Sequence, residues 1–247
     1  EKMKKKWGSD SNLFRVRVLG EFPSEGKDTL ISVKYLDMAI ENYKGWVEEI
    51  TKNDEELIAF GVDVARLGMD STTVGVLWRN KETGIKYFQL LDEYEKQRID
   101  QTTGRIIDWY KKLHPNGMGP VINIDDIGLG GGVTDNLKGL GYPVNGLNVG
   151  ESPDTWSEQE DKFLNKRAQY YWNLREMFVN QHICIDDDNL AFELSKVGLD
   201  FSLKGRVKIE EKKQIRKKLQ GKSPDRADCM MLACAEDEEI GSQGWIF

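Results

Sequence analysis

The sequence is poor in the residues that build zinc sites and disulfide frameworks. Its 247 residues include three cysteines, Cys184, Cys229 and Cys234, and two histidines, His114 and His182. The cysteines are odd in number, lie among apolar residues and lack CxxC spacing, so we expect the reduced, buried thiols of a cytoplasmic protein. The histidines are too few and too isolated for a zinc site.

Long apolar runs and two recognisable signals are also missing. No run approaches the ~18 apolar residues that cross a bilayer, which excludes a membrane span, and no signal peptide is visible. The phosphate-binding pattern GxxxxGK[ST] is absent, since GLGGG at 128–132 lacks the lysine and the serine. Because the chain begins at Glu1 without an initiator methionine, we expect a piece of a longer protein.

The charge is acidic overall but basic in one segment. With 35 Lys and Arg against 42 Asp and Glu, the net charge of −7 argues against a protein that binds nucleic acid through its overall charge. A charge run is often only a solvated face, and that interpretation stays open here. Between positions 204 and 222 only Glu210 and Glu211 oppose the basic residues Lys204, Arg206, Lys208, Lys212, Lys213, Arg216, Lys217, Lys218 and Lys222.

Apolar periodicity predicts three strands followed by alternating helices and strands. The strands 57–64, 72–80 and 85–94 have short connections, which indicates an antiparallel meander. The order favours an α/β fold with a mixed sheet of five or more strands and helices on both faces. The other predicted elements are helices at 32–46, 100–113, 133–140, 161–179, 189–199 and 223–235, and strands at 120–124, 141–147, 183–185 and 207–210.

Carboxylates follow two apolar strands and begin the last helix. IAFGVD ends at Asp63 and VINID ends at Asp125, and parallel neighbouring strands would bring both to one edge of the sheet. In SPDRADCMMLACA, Ser223 suits the N-cap, and Asp225 and Asp228 share one helix face. Converging carboxylates repel one another unless a cation lies among them, and oxygen ligands favour Mg²⁺ or Mn²⁺ over zinc. Two such ions about 4 Å apart can activate a water and stabilise the leaving oxygen when a phosphodiester is cleaved.

Each carboxylate also has a simpler interpretation. Asp63 could cap a turn, as could Asp125 or Asp126 before Gly128. Asp225 could simply complement the positive end of its helix. Successive side chains of a strand point to opposite faces, so only one of the adjacent pair at 125 and 126 can face a metal.

Three segments together resemble the motifs of a known family. GVDVARLGMDSTTVGV, VINIDDIGLGGGVTDNL and KGRVKIEEKKQIRKKLQGKSPDRADCMMLA are similar, in order and spacing, to the motifs of the nuclease domain of the large terminase subunit of tailed bacteriophages. FRVRVLGEFP resembles the segment that joins the ATPase half of that protein to its nuclease half. The resemblance covers roughly residues 14–235. It implies a linker arm and short helix at 1–50, a nuclease domain at 51–240 and a flexible tail at 241–247.

The resemblance implies a ribonuclease-H-like fold and a two-metal endonuclease. Asp63, Asp125 and an aspartate of SPDRAD would be the catalytic metal ligands; Asp225 and Asp228 are both retained, with Asp228 preferred if only one binds. Asp63 would bridge two Mg²⁺ or Mn²⁺ ions, between which an activated water attacks the scissile phosphate. The family usually has a small or apolar residue where Asp126 stands, so the choice between positions 125 and 126 stays open.

The basic segment also gains a role from the resemblance. The family has a β-hairpin beside the active site at the position of residues 204–218, and a cationic hairpin there would hold the phosphates that flank the cut. The expected partners are double-stranded DNA and, in the full-length protein, the small terminase subunit and the portal protein. The ATPase half is absent from this chain, and the expected location is the host-cell cytoplasm. The implied DNA contacts are Arg66, Lys204, Arg206, Lys208, Lys212, Lys213, Arg216 and Lys217.

Two other functions fit the same residues. A sugar-kinase- or actin-like ATP-binding domain also uses an aspartate on its first strand and a Gly/Thr-rich turn, which Asp63, Gly68, Thr72 and Thr73 would supply. The other alternative is a DNA-binding or docking module whose carboxylates are structural. The role of Asp70 is open: it either holds the turn or reaches the outer shell of the metals.

Overall fold

A six-stranded mixed sheet forms the centre of the computed structural model, which describes residues 29–49, 55–65, 70–115, 119–154 and 162–235. Two further strands, β7 (Leu199–Phe201) and β8 (Val207–Ile209), form a separate antiparallel hairpin. The strands of the large sheet are β1 (Glu55–Asp63), β2 (Thr72–Asn80), β3 (Lys86–Tyr94), β4 (Val121–Asp125), β5 (Val144–Leu147) and β6 (Ile183–Ile185).

The strand order is β5-β4-β1-β2-β3-β6. Strands β1, β2 and β3 pair antiparallel, which confirms the predicted meander. Strand β4 pairs parallel with β1, β5 pairs parallel with β4, and β6 adds a parallel edge next to β3. The predicted fold class, a mixed sheet with a meander and parallel strands, is therefore confirmed.

Helices cover both faces of the sheet. The helices are α1 (Val33–Glu49), α2 (Ile99–Leu113), α3 (Leu129–Gly139), α4 (Lys166–Val179), α5 (Asp188–Lys196), α6 (Lys212–Lys218) and α7 (Asp225–Ala233). Helices α2 and α3 share one apolar core with Phe60, Val62 and Ile122, whereas α1, α4, α5 and α7 share the other. No helix among the described residues is long and apolar enough to cross a membrane.

Helix α7 lies very close to strand β1 because the strand has a glycine at the contact. A methyl group on Gly61 would lie 2.2 Å from the carbonyl oxygen of Cys229 and 2.6 Å from the backbone nitrogen of Ala233. The thiol of Cys229 also donates to the carbonyl of Gly61 at 3.1 Å. A side chain there would push the helix away, so the glycine sets the distance between β1 and α7.

Several predicted boundaries in the second half of the chain are wrong. The helix expected at 161–179 begins at Lys166, where Asn165 caps it by accepting from the backbone of Ala168. The helix expected at 189–199 ends at Lys196, and the next residues form β7. The N-cap of α7 is Pro224 rather than Ser223.

The basic segment is also different from the expected hairpin. The hairpin is formed by β7 and β8 and reaches only Ile209, whereas Lys212–Lys218 form the short helix α6. The helix buries Ile215 and exposes most of its other side chains. The basic residues predicted to line a single hairpin are therefore divided between the β7–β8 hairpin and helix α6.

Candidate metal centre

Two strands and one helix bring four carboxylates to one end of the sheet. Asp63 ends β1 and Asp125 ends β4, and these strands are parallel neighbours. Helix α7 packs on the same strands and carries Asp225 and Asp228 in its first turn. Burial raises the pKa of Asp63 well above its ordinary value, and the charges of the other three carboxylates raise it further. The four predicted residues therefore lie within electrostatic reach of one another.

Of the adjacent aspartates at the end of β4, Asp125 is the one near the cluster. It is half-buried, and burial and the charge of Asp228 both raise its pKa. Asp126 is exposed, and its carboxyl lies beside Gly146, where an added methyl group would be 2.8 Å from the Asp126 Cγ. The position of Asp125 therefore favours it over Asp126 as a metal ligand. That it binds a metal ion stays a prediction.

Ser71, which lies just before β2, and Thr73, within β2, hold Asp225. The backbone N–H of Ser71 donates to its Oδ2 at 2.8 Å, and the hydroxyl of Thr73 donates to its carbonyl oxygen at 2.9 Å. Burial raises the pKa of Asp225 to about 6, and the charges of Asp70 and Asp228 contribute to the rise. One of its carboxylate oxygens is therefore already engaged by the protein.

Asp228 is surrounded by donors and cations. The Tyr171 hydroxyl donates to its Oδ1 at 2.7 Å, and Nη2 of Arg167 donates to the same oxygen at 3.0 Å. Nζ of Lys212 forms an ion pair with Oδ2 at 2.9 Å. Burial by itself would raise the pKa of Asp228, but the charges of Arg167 and Lys212 outweigh it and hold the pKa well below its usual range. Asp228 is therefore ionised.

Among the described residues, no three carboxylate, thiol or imidazole groups are arranged so that they could hold a metal ion as they stand. The donor set nevertheless fits Mg²⁺ or Mn²⁺, because all its ligand atoms are oxygens. In addition, the partner of the buried Oδ2 of Asp228 is the ammonium of Lys212 at 2.9 Å, and a carboxylate oxygen has a second lone pair that could bind a metal ion. A metal ion would have to displace the ammonium of Lys212.

The structure shows which groups Asp70 contacts, a point that the sequence leaves open. Its Oδ2 forms an ion pair with Nη2 of Arg216 on α6, and Nε of the same arginine donates to the Ser223 hydroxyl at 2.9 Å. Ser223 therefore contacts Arg216 rather than capping α7. Asp70 ties its turn to the basic helix, and its charge reaches Asp225.

The residues predicted to contact DNA differ in their exposure and in whether a carboxylate already pairs with their charge. Lys208 is paired with Asp200 at 2.9 Å, and Arg216 is paired with Asp70. Lys204 is exposed in the hairpin turn, Arg206 is half-buried beside it, and Arg66 lies outside the described residues. A groove of about 440 Å³ runs along α6 and is lined by Lys212, Lys213, Arg216, Lys217, Gln220 and Gly221.

Two of these lysines stand out. Lys213 and Lys217 are exposed, line the groove and have no ion-pair partner among the described residues. Their charges are therefore available to an anionic partner. Lys212, in contrast, points its ammonium at Asp228 although its side chain is 45% exposed.

Three residues of this site were not predicted from the sequence. Arg167 and Tyr171 are four apart on α4 and so share a helix face, a spacing that could have indicated a polar pair on a buried helix. Glu193 on α5 accepts hydrogen bonds from the backbone nitrogens of Arg226 and Ala227, at 2.9 and 3.1 Å, and so caps the start of α7. No local pattern signals the role of Glu193, because its partners are about 30 residues away.

No family model and no curated protein matches the sequence. The nuclease domain of the large terminase subunit gp2 of bacterial virus Sf6 superposes with a TM-score of 0.63 at 18% identity, over 83% of this chain and 98% of that chain. A mutant of that domain solved with manganese and β-thujaplicinol gives 0.64 at 18% identity and the same coverage. The large terminase nuclease of thermophilic phage G20c, solved with cobalt, gives 0.55 at 15% identity, over 86% and 99%. This chain therefore has the ribonuclease-H-like fold of terminase nuclease domains.

Proposed function

We propose that this chain is the nuclease domain of a large terminase subunit, a metal-dependent endonuclease that cuts concatemeric viral DNA during genome packaging. The observation that carries the proposal is the group of four buried or half-buried carboxylates beside a basic groove, in the fold of terminase nuclease domains. Fold alone does not fix a function, and the proposal therefore depends on the chemistry of these side chains.

The carboxylates are the proposed metal ligands. Asp63 is the central one, since the charges of Asp125, Asp225 and Asp228 all reach it. Related domains have been solved with manganese and cobalt, which supports a divalent ion in this fold. When bound, a pair of Mg²⁺ or Mn²⁺ ions would acidify the attacking water and neutralise charge on the scissile phosphate.

The residues of the chain itself would bind and orient the DNA. The groove on α6 adjoins the carboxylates through Lys212, so a strand that follows the groove brings a phosphate to them. Lys213 and Lys217 would contact the flanking phosphates. Phosphate contacts position a duplex without reading its sequence, so we expect little sequence preference. The small terminase subunit and the portal protein are the proposed partners of the full-length protein in the host-cell cytoplasm.

The central test replaces Asp63 by asparagine, which keeps the shape and removes the charge. Plasmid cleavage with Mn²⁺ is expected to fall at least 100-fold, because a metal ligand is lost. Asp108→Asn, an exposed carboxylate on α2, is the matched control and should cleave like the parent. Cleavage retained by Asp63→Asn would contradict the assignment.

The two alternative functions are outcomes of the same experiments. A non-catalytic DNA-binding module predicts no cleavage and no stabilisation by Mn²⁺ in a thermal melt. An ATP-binding domain predicts tight binding of ATP by the isolated chain. Neither outcome is expected from the proposal.

The DNA contacts are tested through salt dependence. Each lysine that neutralises a phosphate contributes about one to the slope of log affinity against log salt. The double variant Lys213→Gln with Lys217→Gln should therefore lower that slope by about two. Lys111→Gln with Lys112→Gln, on α2, removes the same charge from another helix and should leave the slope unchanged. An equal change in both double variants would contradict the groove as the DNA site.

A further inference from the structure

Helix α4 supplies two donors to a single oxygen of Asp228. Tyr171 is fully buried, and its hydroxyl donates to Oδ1 at 2.7 Å. Arg167 donates to the same atom at 3.0 Å, and its guanidinium lies 5.3 Å from the centre of the Tyr171 ring. The backbone N–H of Arg167 donates in turn to the carbonyl of Val149 at 2.9 Å. Both donors are thus fixed by packing and by the backbone.

The two carboxylate oxygens of Asp228 have different partners. Oδ1 receives hydrogen bonds from Tyr171 and Arg167, whereas the partner of the buried Oδ2 is the ammonium of Lys212 at 2.9 Å. The side chain of Lys212 is 45% exposed and that of Arg167 only 13%. One cation would suffice to neutralise the charge of Asp228, yet the structure pairs it with both Arg167 and Lys212. The asymmetry indicates that one oxygen is held while the other is kept for an exchangeable partner.

We infer that Arg167 and Tyr171 are positioning residues, which hold Oδ1 of Asp228 so that Oδ2 faces the other carboxylates as a metal ligand. The inference rests on the proposed function and concerns residues on an element that carries none of the predicted ligands. Outer-shell donors of this kind orient metal-binding carboxylates in other proteins. Arg167 also lies close enough to act electrostatically on Asp125 and Asp63, so it is part of the whole cluster.

The test uses variants that keep the charge of the protein, because removing a cation would by itself attract a metal ion. Tyr171→Phe deletes one donor, and Arg167→Lys keeps the charge but loses the planar guanidinium. Each variant is melted over a titration with Mn²⁺, and the concentration that gives half of the maximal stabilisation is measured. We expect that concentration to rise about tenfold in each variant. Tyr170→Phe is the matched control, since Tyr170 is the neighbouring residue and its hydroxyl donates to Asp154 at 2.8 Å.

The outcomes separate this inference from the proposed function. If the parent is stabilised by Mn²⁺ and both variants stay within twofold of it, the positioning role is wrong and the proposed function survives. If the parent itself does not respond to Mn²⁺, the proposed function fails and the inference fails with it. If both variants fail to fold while Tyr170→Phe folds, the donors stabilise the fold, and the positioning role is likewise rejected. A rise shared by Tyr170→Phe would also overturn it.

Discussion

Replacing Lys212 by methionine should tighten metal binding, because its ammonium pairs with the Asp228 oxygen that the proposed metal site would use. Two opposite charges about 4 Å apart interact by about 4 kcal/mol at an effective dielectric constant of ~20. The Lys212 side chain is 45% exposed, and solvent screening reduces its ion pair with Asp228 to about 1–2 kcal/mol. Removing that competitor should therefore tighten Mn²⁺ binding about 5- to 30-fold.

The assay is a series of thermal melts over a titration with Mn²⁺. Lys213→Met is the matched control, because it removes the same charge from the next residue of the same helix and the same groove, but it has no carboxylate partner among the described residues. We expect little change in that control. Equal tightening in both variants would refute the reasoning, since it would show a general effect of charge. Weaker binding in Lys212→Met would refute it as well, because the ammonium would then assist the metal.

Two further predictions concern stability. Gly61→Ala should destabilise the fold by about 1–3 kcal/mol, measured by denaturant unfolding, because its methyl group would meet the backbone of Cys229 and Ala233. Gly104→Ala on α2, which has open space, should stabilise the fold slightly. Equal effects of the two variants would contradict the close contact between β1 and α7. Burial raises the pKa of Glu193 from 4.5 to about 8, so its ionisation costs stability as pH rises through that range. Glu193→Gln cannot ionise, so its stability relative to the parent should rise as pH increases from about 4.5 to about 8, by up to ~5 kcal/mol, and stay constant above that. Parallel pH profiles would contradict the assignment.

Local patterns in the sequence predict the half of the fold that surrounds Asp63 and Asp125. The meander and the strand that ends at Asp125 are made of long apolar or alternating runs, for which the period is clear. Their parallel pairing then places both carboxylates at one edge. Strand alternation predicts that only one of Asp125 and Asp126 can face the other carboxylates. Which of the two does so depends on the register of β4 against β1 and β5, and local sequence does not encode that register.

The rest of the site depends on contacts between distant segments, which no local pattern encodes. Helix α6 has the sequence KKQIRKK and buries only Ile215, so it lacks an apolar face that would identify it as a helix. Its position is stabilised by Arg216, which bridges Asp70 and Ser223. The role of Arg167 likewise depends on Asp228, which is 61 residues away in the chain. The sequence therefore predicts the carboxylates better than the groups that surround them.

The charges of the cluster connect metal binding to DNA binding. Among the described residues, the cations that act on the four carboxylates are Arg167 and Lys212, so the cluster without metal is acidic. Burial raises the pKa of Asp63 and Asp225 most, and the charges of the neighbouring carboxylates add to the rise. Such a cluster repels a phosphate. Divalent ions would have to displace protons and the ammonium of Lys212, so the affinity for metal should increase as pH rises through about 6. Under the proposed function, only then would the site become attractive to a phosphate, whereas Lys213 and Lys217 would attract DNA with or without metal. It follows that removing metal should abolish cleavage but leave most of the affinity for DNA.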